Sequence, residues 1–237
     1  MSKFELFTKS IARELFQKDR STKITASEIR RGNTSKATQN IINVFSNSNF
    51  DLRVMELQEQ DIDSLLSELK KNCIGKAPVI VLDYLQIIPV KSTDNSQKQA
   101  IDEIVRKLKN FQRETNTTFI VISSFNRANY AQQVAFESFK ESGNIEYSAD
   151  VVWGLQFYCT KNLRDGSISK NREVIEEAKK ANPRQIQLSC LKNRQGTNYQ
   201  VFFNYYPAND LFEVCEEKEF QEFIFPTKKM NNKRSIQ

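Results

Sequence analysis

Residues Val79-Ile80-Val81-Leu82-Asp83 form an unbroken apolar run that ends in a carboxylate. At the carboxyl end of a strand in an α/β core, such an acid can hold a hydrated magnesium ion beside phosphates. The same residue type in the same place also serves as a loop acid or a helix cap, so the pattern alone leaves both roles open for Asp83. Other chemistries are excluded by composition. The 237 residues contain no histidine, which rules out Ser-His-Asp and Cys-His nucleophiles, HExxH zinc sites and imidazole proton shuttles. Cys73, Cys159, Cys190 and Cys215 are far apart, without a C-x-x-C pair, and read as buried free thiols rather than metal ligands. A phosphate-cradling G-x-x-x-x-G-K-[ST] loop is also missing: the six glycines stand singly, and Gly75-Lys76 runs into Ala77-Pro78.

The elements around Asp83 can be read from periodicity. The β-branched run from Val79 to Leu82 has no alternation, which predicts a parallel strand buried on both faces. Ser96 and Gln99 form a capping box ahead of Ile101, Ile104, Val105, Leu108 and Phe111, predicting a helix, and Thr118 to Ser123 predicts a second buried strand. Together these make a right-handed strand, helix, strand unit over residues 79–123. Upstream, helices are expected over residues 3–17, 25–31, 35–45 and 61–72, with a short strand at Leu52, Val54 and Leu57. Downstream, strands are expected at 151–157, 186–192 and 199–206, the last two joined as a hairpin through Gln195-Gly196-Thr197-Asn198.

The chain is long enough for one substantial core, and one domain is expected. Its 35 Lys+Arg against 29 Asp+Glu give a net charge of +6, which suits a phosphate or nucleic-acid partner and favours one only slightly. No apolar run reaches membrane-spanning length and no signal peptide opens the sequence, so no membrane partner and a cytoplasmic location are expected. The final residues hold Lys228, Lys229, Lys233 and Arg234 without periodicity and read as a disordered basic tail, giving a domain over residues 1–226 and a tail over 227–237.

Four motifs in one order carry a resemblance. Asp83-Tyr84-Leu85-Gln86, then Ser123-Ser124-Phe125-Asn126-Arg127, then the run from Phe139-Lys140-Glu141-Ser142-Gly143 through Asp150-Val151-Val152, then Lys192-Asn193-Arg194-Gln195-Gly196-Thr197, resemble the carboxyl-terminal ATPase domain of DnaB-type replicative helicases, RecA-like motors of superfamily 4. The opening Met1-Ser2-Lys3-Phe4-Glu5-Leu6 resembles a helix start of the same family. The resemblance covers most of the chain and implies an α/β fold: a RecA-like three-layer core with a mainly parallel sheet, an amino-terminal helical segment and a carboxyl-terminal hairpin.

It also implies roles. Asp83 matches the Walker B acid that orients Mg2+ through water. Ser124 to Arg127 matches the segment that senses the nucleotide's terminal phosphate, although the family more often has glutamine where Ser124 stands. Lys140, Glu141, Ser142 and Gly143 match the loop that lines the ring's channel and holds single-stranded DNA. There a cation attracts the phosphodiester and a glycine admits close backbone approach; a solvated loop is the alternative. Lys192 and Arg194, two residues apart and so on one face of a strand, match the lysine and arginine finger that reach in trans into a neighbour's site, where a guanidinium suits the charge on a transferring phosphoryl group. Paired edge-strand cations that discourage aggregation are the alternative.

The resemblance further implies what is missing. The Walker A strand and helix and the catalytic glutamate precede, in the family, the helix that opens this sequence. ATP and Mg2+ are the implied cofactors, with weak or absent binding and hydrolysis by the isolated chain. The implied partners are single-stranded DNA and either a homo-oligomeric, hexameric ring or a chain that supplies the Walker A segment to strand edges otherwise left unpaired. Two functions stay open: an incomplete helicase motor, or a non-catalytic protein that lends an arginine finger to a complete ring.

Overall fold

The computed structural model describes residues 2–47, 52–56, 60–90, 96–126, 130, 132–139, 143–163 and 168–220. Helices α1 (Lys3–Lys18), α2 (Ala26–Arg30) and α3 (Lys36–Ser46) open the chain. Each begins where a hydroxyl meets an unpaired backbone N–H: Ser2 accepts from Glu5, Thr25 from Glu28 and Ser35 from Thr38. Ile11, Ala12 and Leu15 of α1 close with Ala26, Ile29 and Ile41 into a small core of their own.

The second core is the strand, helix, strand unit. Helix α4 (Ile62–Cys73), capped by Asp61, and helix α5 (Gln97–Thr115), capped by Ser96 and Gln99, lie against one face of β1 (Val79–Leu82) and β2 (Thr118–Val121). The two strands pair in parallel, Val79 opposite Thr118 and Leu82 opposite Val121. Ile62, Leu65, Leu69, Ile101, Ile104, Leu108 and Phe111 bury against Leu82, Leu85 and Ile88. Asn116 takes a left-handed conformation, φ 52°, which ends α5 and turns the chain into β2.

Helix α6 (Gly143–Ser148) leads into an antiparallel sheet of four strands in chain order: β3 (Val151–Phe157), β4 (Arg184–Asn193), β5 (Gln200–Tyr206) and β6 (Leu211–Cys215). The β4–β5 pair is the expected hairpin. Helix α7 (Ile168–Lys180), between β3 and β4, sets Val174, Ile175 and Ala178 against Cys159. β4 is buried on both faces, Ile186 and Cys190 on one and Gln187 and Ser189 on the other.

Three expectations change. Residues 52–56 are irregular rather than a strand; the segment is tied down by side chains, Arg53 to Asn72 and the Lys3 N–H to Glu56, and has no ladder partner among the described residues, while Leu57 lies outside them. β1 is buried on one face only: Val79 and Val81 are 62% and 61% exposed, because no described helix covers the face opposite α4 and α5. The parallel part of the fold is the β1–β2 pair alone among the described residues, and the larger sheet is antiparallel. α7 and β6 are elements that the periodicity reading did not anticipate. The tail at 227–237 lies outside the described residues. Among the described residues no helix is long and apolar enough to cross a membrane.

Candidate nucleotide and single-strand interface

The carboxyl ends of β1 and β2 are knitted together. The Ile122 N–H donates to the Leu82 carbonyl at 2.9 Å, and the Leu85 N–H donates back to the Ile122 carbonyl at 2.8 Å. Leu85, 1% exposed, anchors a 3-10 turn (Leu85–Ile87) in the core. The next residue, Gln86, uses both ends of its amide: Nε2 donates to Ser123 Oγ at 2.8 Å, and Oε1 accepts from the Ser124 N–H at 3.2 Å. The structure therefore brings Ser123 and Ser124 beside the loop that starts at Asp83. Asp83 is exposed, and among the described residues its carboxylate makes no hydrogen bond or ion pair. Arg127 lies outside the described residues.

No cluster of three or more Cys, Asp or Glu side chains among the described residues could hold a metal directly. A lone exposed carboxylate at a strand end fits a hydrated magnesium ion held through water. It offers nothing for the phosphates themselves.

From Ser124 the chain passes straight to the next segment. Phe125 forms an antiparallel bridge with Phe139, their rings edge to face with centroids 5.4 Å apart, and the Asn126 N–H donates to the Ser138 carbonyl at 2.8 Å. Phe139 is the residue before Lys140. Lys140, Glu141 and Ser142 lie outside the described residues, and Gly143 opens α6.

The remaining two cations meet the far end of the same segment. Lys192 Nζ donates to the Glu146 carbonyl in α6 at 2.6 Å. β4 ends at Asn193, so Arg194 opens the turn instead of extending a shared strand face, and the pair takes different partners. The Arg194 N–H donates to the Asp150 carbonyl at 2.9 Å, and its guanidinium donates to Asp150 Oδ1 at 2.9 Å. Lys109 from α5 takes Oδ2 at 2.8 Å. Hydrogen bonds from Lys109 and then from Arg194 hold the Asp150 carboxyl below the ordinary aspartate range. The Arg194 side chain remains 67% exposed, with room to leave Asp150 for another anion.

The candidate residues thus fall into two groups, Asp83 with Ser124 at one end and Lys192 with Arg194 at the other, joined by residues 136–150. Gln86 and Asp150 organise these groups, and neither stood out as a functional residue from sequence. The available signal was that each sits inside a motif word, Gln86 as the last residue of Asp83-Tyr84-Leu85-Gln86 and Asp150 at the foot of β3.

Comparison with known proteins bears on the family and the fold. The DnaB-like helicase C terminal domain family matches residues 1–214. The replicative DNA helicase DnaB of Mycoplasma pneumoniae is 28% identical over 172 residues, 70% of this chain and 34% of that protein. The replicative DNA helicase DnaC of Bacillus subtilis is 38% identical over 103 residues, 41% of this chain and 22% of that protein. A DnaB-like replicative helicase, solved in a study of its interactions with primase, superposes with a TM-score of 0.69 at 22% identity, covering 91% of this chain and 50% of that chain, which shows a shared fold. The chain spans about a third of the length of the first two curated relatives it matches. With the four motif words in order, the parallel unit whose first strand leads into Asp83 and a family match through residue 214 of 237, the chain belongs to the DnaB-like helicase C-terminal domain family.

Proposed function

We propose that this chain provides the strand-gripping and arginine-finger portion of a DnaB-like motor that couples ATP hydrolysis to translocation on single-stranded DNA and duplex unwinding. The observation that carries the reading is the junction at the carboxyl ends of β1 and β2, where Gln86 ties the loop that starts at Asp83 to Ser123 and Ser124. Ligands in open α/β sheets bind at such strand ends. In this reading Asp83 holds hydrated magnesium, which when bound neutralises charge on the nucleotide's phosphates. Ser124 and Arg127 face the terminal phosphate, Lys140 to Gly143 grip the DNA backbone, and Lys192 and Arg194 serve the nucleotide of an adjacent subunit in a hexameric ring.

The phosphate cradle comes from a further segment. Val79 and Val81 of β1 lie on the same face as Ile120 and Ile122, and these four side chains are 62%, 61%, 42% and 45% exposed. Parallel strands are normally covered on both faces. A phosphate-loop strand and helix of the family type would cover this one. The test is calorimetry with Mg-ATP and anisotropy with a labelled oligo-dT strand, on the chain alone and co-expressed with a phosphate-loop segment of a DnaB-like relative. Salt-sensitive oligo-dT binding and ATP binding only in the assembled form are expected; ATP binding by the chain alone, or no DNA binding in either form, refutes the reading.

The exposure of Arg194 supports a second reading, a non-catalytic chain that lends its finger to a complete ring. Adding the chain, or its Arg194→Ala variant, to an intact DnaB-like helicase separates the two: only the accessory reading gives an Arg194-dependent change in the ring's ATPase rate.

A further inference from the structure

Among the described residues, Gln86 is the one side chain of the loop following β1 that hydrogen-bonds to the residues following β2. Its amide provides a donor to the Ser123 hydroxyl and an acceptor for the Ser124 N–H, the two roles falling on separate atoms of one planar group. The backbone of that turn is fixed from below by Leu85, 1% exposed and bonded to Ile122. Gln86 is itself partly buried, so its hydrogen bonds are shielded from competing water. The next two residues after Ser124 are the ones that bridge to Phe139 and Ser138. A route of hydrogen-bonded steps therefore runs from the Asp83 loop through Gln86 to the residue before Lys140.

We propose that Gln86 is a positioning residue: it fixes the spacing between the Asp83 loop and the Ser123-Ser124 stretch, and so registers the segment that enters residues 140–143. Without its amide, the hydrogen bonds left between the loop after β1 and the stretch after β2, among the described residues, are the backbone bonds of Leu82, Leu85 and Ile122. The Phe125–Phe139 bridge then loses its support on the Asp83 side. The effect on DNA rests on the strand-gripping reading above; the effect on the bridge does not.

Amide hydrogen exchange followed by NMR on the chain, Gln86→Met and Gln86→Glu tests this. Methionine matches the length of glutamine without its donor or acceptor. Glutamate accepts from the Ser124 N–H and from the Ser123 hydroxyl, whose proton can rotate. In Gln86→Met the Ser124 and Asn126 amides should exchange roughly tenfold faster while Leu108 in α5 stays unchanged, and Gln86→Glu should restore both. Acceleration at Ser124 alone shows a local clamp and overturns the proposal; equal acceleration at Leu108 shows a general loss of stability and also overturns it. Anisotropy with an oligo-dT strand of about 20 nucleotides adds the functional arm, where Gln86→Met should weaken binding roughly threefold to tenfold and Gln86→Glu should recover it. Equal binding by wild type and Gln86→Met refutes the transmission to the DNA loop. Absence of binding by wild type both alone and assembled with the phosphate-loop segment refutes the strand-gripping reading, and the exchange pattern still decides the role of Gln86.

Discussion

Gly154→Ala tests whether residues 132–139, the segment that leads to the proposed DNA loop, are seated on β3. A methyl group built at Gly154 would lie 2.4 Å from Cγ2, 2.8 Å from Cγ1 and 3.1 Å from Cβ of Val134. Carbon atoms in good contact sit about 3.5–4.0 Å apart, so Val134 would have to retreat by roughly 1 Å. Rotation about χ1 does not relieve this, because both γ carbons and Cβ itself are crowded and a β-branched side chain has few alternatives. The backbone of residues 132–139 must lift instead. Val134 is 7% exposed, and its N–H donates to Gln156 Oε1 at 2.7 Å, so lifting also stretches that bond. Overpacking costs about 1–3 kcal/mol and the strained hydrogen bond about 1 kcal/mol more. The sum, about 2–4 kcal/mol, corresponds to a fall in Tm of roughly 4–16 °C for a chain of this size. Thermal denaturation by circular dichroism reads it directly. Val134→Ala removes the two crowding γ carbons, so the double variant should be more stable than Gly154→Ala by about 1 kcal/mol or more, with clear non-additivity in the cycle. A Gly154→Ala protein within about 0.5 kcal/mol of wild type, or strictly additive single and double variants, would refute the reasoning.

Three further outcomes are expected. Asp150→Asn should lower stability near neutral pH by about 0.5–1 kcal/mol, a value suited to a half-exposed pair; since the folded carboxyl titrates below its ordinary range, this contribution is present above the unfolded value and disappears as pH falls through the folded one, so the Tm gap should close below about pH 3.9, and a gap that persists in acid counts against it. Gln187 is fully buried with neither amide atom hydrogen-bonded, so Gln187→Leu should be neutral or stabilising by about 1–3 kcal/mol in urea denaturation; a clear loss of stability would show that the amide is satisfied. Val81→Lys, at a 61% exposed position, should change the stability of the chain alone by no more than about 0.5 kcal/mol while preventing capture of a phosphate-loop segment in a pull-down, and unimpaired capture would remove this face from the assembly.

The helix starts and the strand, helix, strand unit were legible because their signals are local. Ser2, Ser35, Asp61 and Ser96 each announce a helix through a side chain that bonds its own first turn. The β4–β5 hairpin was legible for a similar reason, two apolar runs around a Gly-containing turn. The strand expected at Leu52 and Val54 failed because a strand needs a partner, and alternation over a few residues says nothing about whether one exists. β1 misled differently: the unbroken β-branched run correctly marks a parallel strand, but burial of its second face depends on what is packed there. At the candidate site, the residue types of Asp83, Lys192 and Arg194 could be picked out from their words. The partners of Lys192 and Arg194 could not, because Glu146 and Asp150 lie 46 and 44 residues away.

The two halves of the molecule differ in how complete they are. β4 is buried on both faces and holds Lys192 against α6 with Arg194 at its end, so the side proposed to carry the finger has its partners within the chain. The β1–β2 pair has its helices on one side and an apolar face on the other. Covering Val79, Val81, Ile120 and Ile122, each already about half buried, gains roughly half of the 1.5–3 kcal/mol that full burial of such side chains supplies. The four together contribute about 3–6 kcal/mol, an upper figure because unfolded chains also shield apolar surface. Association of a free partner loses about 4–15 kcal/mol of translational and rotational freedom. Face-to-face contact alone therefore falls short of tight binding, and the covering element must also hydrogen-bond along an edge of the parallel pair as an added strand. That requirement gives a specific expectation for the assembled form: backbone amide protection appearing along an edge of β1 or β2 at the same time as ATP binding, with the amides of β4 unchanged. Gain of ATP binding without new protection at that edge would mean that the phosphate cradle docks elsewhere.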